Sequence, residues 1–288
     1  MALVAVVGAK GAPGATTSVL ALACGWSKPV LVADADPAGG DIVPGWLAGR
    51  VGLDRGLLSF AAATRHTDAA TAADLAPHVV AVPDVPGLTV LPGLAHAGQS
   101  GGLDGRLWTR LAAATATPGL AADREGEAAR VDLLADCGRI SAGTPWPLVA
   151  AAGVVLLATR PTLRGVHHAR HALAAVQAAV GDVRRVALLV CGPGPYDPVE
   201  VGRAVGLPVR VVLPDDPRAA AVLSDGVAPG RGWSRTVLAR AARSVARPLA
   251  TAAAAVAPAT VGAAAAHDLI TSERTALDPP TAAGNARR

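Results

Sequence analysis

Six short runs in this chain are apolar at nearly every position: ALVAVVG (2–8), PVLVADAD (29–36), RVDLLADCG (130–138), GVVLLATRP (153–161), RRVALLVCG (184–192) and LPVRVVLPD (207–215). A strand with one wet face alternates apolar and polar residues, whereas a strand covered on both faces does not. Such runs therefore require helices above and below the sheet they form. The chain supplies helix-length segments between them, among them TTSVLALACGW after the first run and TLRGVHHARHALAAVQAAVG, ended by Gly181, after the fourth. Strands alternating with helices form βαβ crossovers. The predicted fold is α/β, a doubly wound, mostly parallel sheet flanked by helices, with no internal repeat. With 288 residues and 51% hydrophobic composition, the chain can bury the two cores that a doubly covered sheet needs.

This domain is expected to occupy residues 1–247. From 248 the sequence loses periodicity and turns Ala/Pro/Thr-rich, which predicts a low-complexity, disordered tail over 248–288. TATPGLAADREGEAAR (115–130) reads as a polar surface insertion. The longest uncharged stretch, 249–266, contains Pro258 and Gly262 and few strong hydrophobes, so no membrane span is expected. The N-terminal apolar run is short and lacks a basic lead-in, so no signal peptide is expected. A net charge of +4 permits contact with nucleic acid or anionic lipid without demanding it. Cys24, Cys137 and Cys191 are scattered and unpaired in pattern, as free thiols of a cytoplasmic protein are.

The chemistry-bearing motifs fall where predicted strands end, the place where open α/β sheets bind ligands. After the first strand comes GAKGAPGATTS (8–18). Gly8, Gly11 and Gly14 let successive N–H groups turn toward phosphate oxygens, and the helix opening at Thr16 adds its amides and dipole. In the pattern G-x-x-x-x-G-K-[ST] the lysine position is Ala15 here and the hydroxyl position is Thr16. The second motif is DADPAGGD (34–41), three carboxylates in eight residues. The third is VDLLADCG (131–138), a strand ending in Asp136, as a Mg²⁺-ordering aspartate does. A dinucleotide fold is the rival reading, since Asp34 lies 20 residues past Gly14. The glycines, however, run G-x-x-G-x-x-G rather than G-x-G-x-x-G. A plain glycine-rich turn is the third.

GAKGAPGATTS resembles the deviant Walker A loop of the MinD/ParA superfamily of P-loop ATPases. Lys10 falls on that group's signature lysine, Gly11 and Gly14 on its glycines, Thr16 on its Mg²⁺-binding hydroxyl and Thr17 on the following threonine. VLVADADP resembles its second-strand D-x-D motif, with Asp36 at the carboxylate that positions attacking water, and Asp136 matches its Walker B aspartate. LPVRVVLPDDPRAAAVLSDG (207–226) resembles the late strand and loop packed against adenine, with Pro214 and Asp216 at the P-x-D positions. A weaker resemblance, in DADPAGGDIVPGW…GLDRGLLSF, is to the pilus-assembly branch called TadZ or CpaE. The resemblance covers about residues 2–247.

It implies the P-loop NTPase fold, with ATP and Mg²⁺ as cofactors. Catalysis would fall to Lys10 and Asp36. A nucleotide cradle would comprise Gly11, Ala12, Pro13, Gly14, Ala15, Thr16, Thr17, Pro214 and Asp216, and a metal would be held by Thr16, Asp36 and, through water, Asp136. It also implies an ATP-dependent homodimer that positions or scaffolds a partner in bacterial pilus, secretion, septum or chromosome-partition machinery. Three departures alter the expectation. Ala15 lacks one phosphate cation, so Mg-ATP is expected to bind more weakly and hydrolysis to be slow or absent. Cys137-Gly138 replaces the usual small pair after the Walker B aspartate. LVCGPGP lacks the Asn-Arg that relatives place against adenine. The alternatives are a non-hydrolysing pseudo-ATPase module and a DNA-partition ATPase.

Three further features carry weaker readings. His167 and His171 have metal-compatible spacing but read as a solvated helix face. Arg160, Arg164, Arg170, Arg184 and Arg185 surround that segment and form the candidate surface for non-specific DNA. The last helix aligns Arg240, Arg243 and Arg247 on one face, as membrane-lying helices do. It lacks large hydrophobes, however, and is expected to close the domain rather than lie on a membrane.

Overall fold

A computed structural model of the chain describes residues 1–10, 14–52, 54–122 and 126–256. Among these residues the strands are β1 (Leu3–Gly8), β2 (Val30–Asp34), β3 (Val80–Ala81), β4 (Leu88–Leu91), β5 (Ala121–Ala122), β6 (Ala128–Ala129), β7 (Asp132–Arg139), β8 (Val154–Thr159), β9 (Val186–Cys191) and β10 (Val209–Leu213). The helices are α1 (Ala15–Cys24), α2 (Leu57–Thr64), α3 (Ala72–Leu75), α4 (Gly105–Ala116), α5 (Trp146–Ala151), α6 (Leu163–Val180), α7 (Pro198–Val205), α8 (Pro217–Ser224) and α9 (Val237–Ala254). Each of the six apolar runs is a strand.

Eight strands form one sheet in the order β10-β9-β8-β1-β7-β2-β4-β3. All neighbours run parallel except β3, which pairs antiparallel with β4 at the edge. The chain leaves β1 for β2, β7 later enters between them, and β8 lies on the other side of β1. Strand order therefore reverses at β1. The carboxyl ends of β1, β7, β2 and β8 open onto a common crevice, the ligand position of doubly wound sheets.

The sheet is buried on both faces, so its strands carry no polar alternation. Along β1, Leu3, Ala5 and Val7 enter one core and Val4 and Val6 the other. Phe60 of α2, Leu107 and Leu111 of α4, Leu148 of α5 and Val176 of α6 fill the first core. Val19 and Leu22 of α1, Leu223 of α8 and Leu238, Ala242 and Leu249 of α9 fill the second.

The basic last helix closes the domain, since its apolar side packs on α1 and is not free for a lipid surface. It continues through Pro248 to Ala254, with Leu249 and Ala253 buried, so regular structure extends past residue 247. Residues 257–288 of the expected tail lie outside the described residues. In the expected 115–130 insertion, Thr115 ends buried in α4 and β5 pairs antiparallel with β6 in a separate hairpin. Among the described residues no helix is long and apolar enough to cross a membrane.

Candidate functional site

β1 delivers the chain into the crevice, where the Ala9 N–H donates to the Ala158 carbonyl at the end of β8 (3.2 Å). Lys10 is exposed. Gly11, Ala12 and Pro13 lie outside the described residues. Gly14 caps α1 in the left-handed region (φ 68°), and the helix has no side-chain cap. Its first amides are thus unclaimed by side chains and face the crevice, the arrangement that suits an anion. Thr16 and Thr17 are half-buried in this first turn, and the Ser18 hydroxyl donates to the Gly14 carbonyl at 2.8 Å. Ala15 is only 4% exposed and belongs to the second core.

Beside this turn lies a pair of buried acids. Asp34, the last residue of β2, stands directly across from Asp136 of β7 in the parallel register. They are 1% and 0% exposed. The Asp34 Oδ2 accepts from the Ile42 N–H (3.3 Å), and Asp136 Oδ1 accepts from the Gly138 N–H (3.1 Å). Asp34 Oδ1 and Asp136 Oδ2 have no hydrogen-bond partner. Burial, then the charge of Asp136, pushes the Asp34 carboxyl well above the usual carboxylate range, against the Ile42 N–H. Burial also raises Asp136, to about 6, while the Thr16 side chain and the Gly138 N–H pull it down. Two buried acids with open oxygens beside a hydroxyl suit a divalent cation. Magnesium takes one or two carboxylates and completes its shell with water and phosphate. Among the described residues no set of three His, Cys, Asp or Glu side chains is arranged to hold a metal without such help.

Asp36 sits at the mouth of the crevice, half-buried, its Oδ1 accepting from the Ala38 N–H at 2.8 Å. Burial raises its pKa, the Ala38 N–H opposes that, and Asp41 and Arg139 act in opposite directions. Its carboxylate rests on Gly138, where an added Cβ would fall 2.0 Å from Asp36 Cγ. Gly138, two residues after Asp136, is therefore a seat for Asp36, which sequence alone did not reveal. Beyond Asp36 opens a cavity of about 350 Å³ lined by Pro37, Leu94, Leu103, Trp108, Thr144 and other residues.

The remaining predicted residues separate. Pro214 follows β10, three strands from β1, and the Asp216 Oδ1 caps α8 by accepting from the Ala219 N–H at 3.2 Å. Cys137 is buried, and burial, then the charges of Asp136 and Asp36, push its thiol well above the ordinary range, away from the thiolate a nucleophile needs. His167 and His171 pack edge to face with centroids 4.5 Å apart. The basic surface is smaller than the sequence suggested. Arg185 is buried and donates to the carbonyls of Ala150, Ala152 and Val180, and Arg184 pairs with Asp182 at 3.0 Å.

A parallel sheet with a glycine-capped helix after its central strand and acids ending the neighbouring strands defines a P-loop fold, here that of the MinD/ParA ATPases. Among solved structures, the ParA family ATPase from Chlorobium tepidum superposes with a TM-score of 0.65 at 16% identity, covering 85% of this chain and 98% of that one. MinD from Pyrococcus horikoshii, solved with Mg-ADP, gives 0.61 at 16% over 86% and 95%. MinD in the MinC:MinD complex of Aquifex aeolicus gives 0.63 at 15% over 86% and 95%. No protein-family model and no curated protein matches the sequence.

Proposed function

We propose that this chain is a Mg-ATP-binding switch of the MinD/ParA kind, acting in the bacterial cytoplasm as a nucleotide-gated dimer that positions a protein partner. The observation that carries this reading is the facing pair Asp34 and Asp136, whose open oxygens lie beside Thr16 at the uncapped start of α1. Nothing in a packed apolar sheet calls for two unsatisfied acids, which cost stability without a partner. In this reading the first-turn amides, Thr16 and Thr17 receive phosphate together with Gly11, Ala12, Pro13 and Gly14, and Lys10 reaches the phosphates held by the second copy of the dimer. Thr16 and Asp136, the latter through water, hold Mg²⁺, which would offset the phosphate charge. Asp36, seated on Gly138, orients attacking water. Pro214 and Asp216 border the base. The Mg-ADP of Pyrococcus horikoshii MinD and the partner in the MinC:MinD complex support nucleotide and partner by analogy of fold.

The alanine at position 15, where the loop's lysine would stand, favours a second form of this reading, a module that binds nucleotide without turning it over. A DNA-partition ATPase stays the alternative: of the five candidate arginines only Arg185 is withdrawn from the surface, while Arg184 remains 87% exposed beside Asp182.

Titration of the purified protein with a fluorescent ATP analogue tests the proposal. Micromolar, Mg²⁺-dependent binding is expected, and no binding up to millimolar would overturn it. Turnover abolished by Asp36→Ala would establish an ATPase. Binding without turnover would establish the non-hydrolysing module.

A further inference from the structure

If nucleotide lies in this crevice, the missing lysine leaves the phosphates short of one cation on their own chain. The first turn of α1 does not supply it, because residue 15 is an alanine. Lys10 stands exposed ahead of the loop and, in the dimer proposed above, serves the second copy. The next candidate is Arg160, the residue that follows β8. The end of β8 is tied to the start of the phosphate loop by the Ala9–Ala158 hydrogen bond (3.2 Å).

The Arg160 side chain crosses from β8 to the end of β9. Its Nε and Cζ lie 3.6 and 3.8 Å from where a Cβ on Gly192 would stand, and Gly192 has φ +75°. A side chain at Gly192 would meet both a strained backbone and the guanidinium, so glycine keeps this path open. Burial raises the neighbouring Cys191 thiol, and the Ser18 side chain and the charge of Arg160 act against that rise. The Cys191 thiol also donates to the Thr159 carbonyl at 3.8 Å, so Arg160 leaves β8 where the ends of β8 and β9 are joined, one strand from β1. It is exposed and forms none of the ion pairs found among the described residues.

Its position in the sheet decides what it would meet. A nucleotide with phosphates at the β1 loop and base near Pro214 and Asp216 must cross the ends of β8 and β9, about 14 Å at the usual strand spacing. Arg160 lies midway along that path. We propose that Arg160 is a nucleotide-binding residue that grips the phosphate nearest the nucleoside, supplying on this chain the cation that Ala15 does not. A guanidinium suits the task, since its planar fork meets two phosphate oxygens at once and stays charged at every working pH.

This inference rests on the nucleotide reading above, and one experiment separates the two. Fluorescence titrations with ATP, ADP, AMP and adenosine are run on the full chain, Arg160→Ala, Arg160→Lys and, as a surface control, Arg164→Ala. Arg160→Ala is expected to weaken ATP, ADP and AMP by about tenfold to a hundredfold, the range for a charge-assisted pair, and to leave adenosine unchanged. Arg160→Lys should recover part of the loss, and Arg164→Ala should match the parent. Adding Ala15→Lys to Arg160→Ala should restore ATP and ADP but not AMP, because a lysine in the loop reaches the β- and γ-phosphates. Equal ATP affinity in the parent and Arg160→Ala overturns this inference alone, as does an equal loss of adenosine, which would mark base stacking. A parent that binds no nucleotide overturns both readings. Coincident thermal melts of the variants verify that the fold is intact.

Discussion

Burial sets the behaviour of Asp34 and Asp136 before any ligand arrives. An acid whose pKa is raised on folding stabilises the native state only while protonated. Between the unfolded value, near 3.8, and about 6, Asp136 holds a proton that the unfolded chain has lost. Its contribution to stability therefore declines as pH rises through that window, by roughly 3 kcal/mol in total at about 1.36 kcal/mol per unit. Asp34, raised further, extends the decline upward. Thermal melts of the ligand-free protein should fall from pH 4 toward neutrality, opposite to most acids. Asp136→Asn, which keeps the shape without the charge, should flatten that dependence and raise the melting temperature at pH 7.5. Mg-ATP should stabilise the parent most at the alkaline end, where Asp136 is ionised and free to hold the cation's water. Gly138 is the neighbouring test. Gly138→Ala places a Cβ against Asp36 at φ +60° and is expected to cost about 1–3 kcal/mol and displace that carboxylate. A melting temperature and ATP affinity equal to the parent would remove Gly138 from the site. The sequence made Asp36 and Asp136 visible because each ends an apolar run. Their surroundings were not visible: register pairs Asp34 with Asp136, and the positions of Gly138 and Arg160 depend on contacts across the sheet.

The elements that could be read from sequence were those whose pattern is local. A strand buried on both faces shows as an uninterrupted apolar run, and α6 shows its cap, with Gly165 N–H bonded to the Thr162 hydroxyl at 3.1 Å. β4 is four residues between turn formers, and β3 only two, too short to stand out from loop. The last helix was harder to bound, because Pro248 reads as a stop. Proline clashes with the preceding turn, yet Leu249 and Ala253 beyond it are buried against the second core, and that packing carries the helix onward. Leu249, 1% exposed, should therefore behave as a core residue. Leu249→Ala is expected to cost about 2–4 kcal/mol in chemical denaturation. A chain ending at Arg247 should melt well below one ending at Val256. Equal stability of the two would mean that the domain does end at 247.

At the scale of the whole molecule, the crevice is asymmetric. Its floor, made by α1, Asp34, Asp136 and Arg160, belongs to one chain, while Lys10 stands exposed at its rim and enters no ion pair among the described residues. An exposed cation at the rim is of use where a second copy brings another site opposite, the arrangement of the dimer proposed above. The two cationic positions should then separate in experiment. Arg160→Ala should weaken nucleotide binding to the monomer. Lys10→Ala should leave monomer affinity near that of the parent while weakening ATP-dependent self-association by about tenfold or more, the scale of one charge-assisted contact. Sedimentation velocity with ATP and Mg²⁺, with a fluorescent titration at concentrations below the dimer threshold, measures both quantities on the same samples. A Lys10→Ala protein that dimerises like the parent but binds nucleotide poorly would reverse the assignment, making Lys10 the cation of its own site. Self-association should also weaken with salt, since an exposed ammonium crossing an interface is screened within about 8 Å at physiological ionic strength, whereas the buried pair at the floor is not.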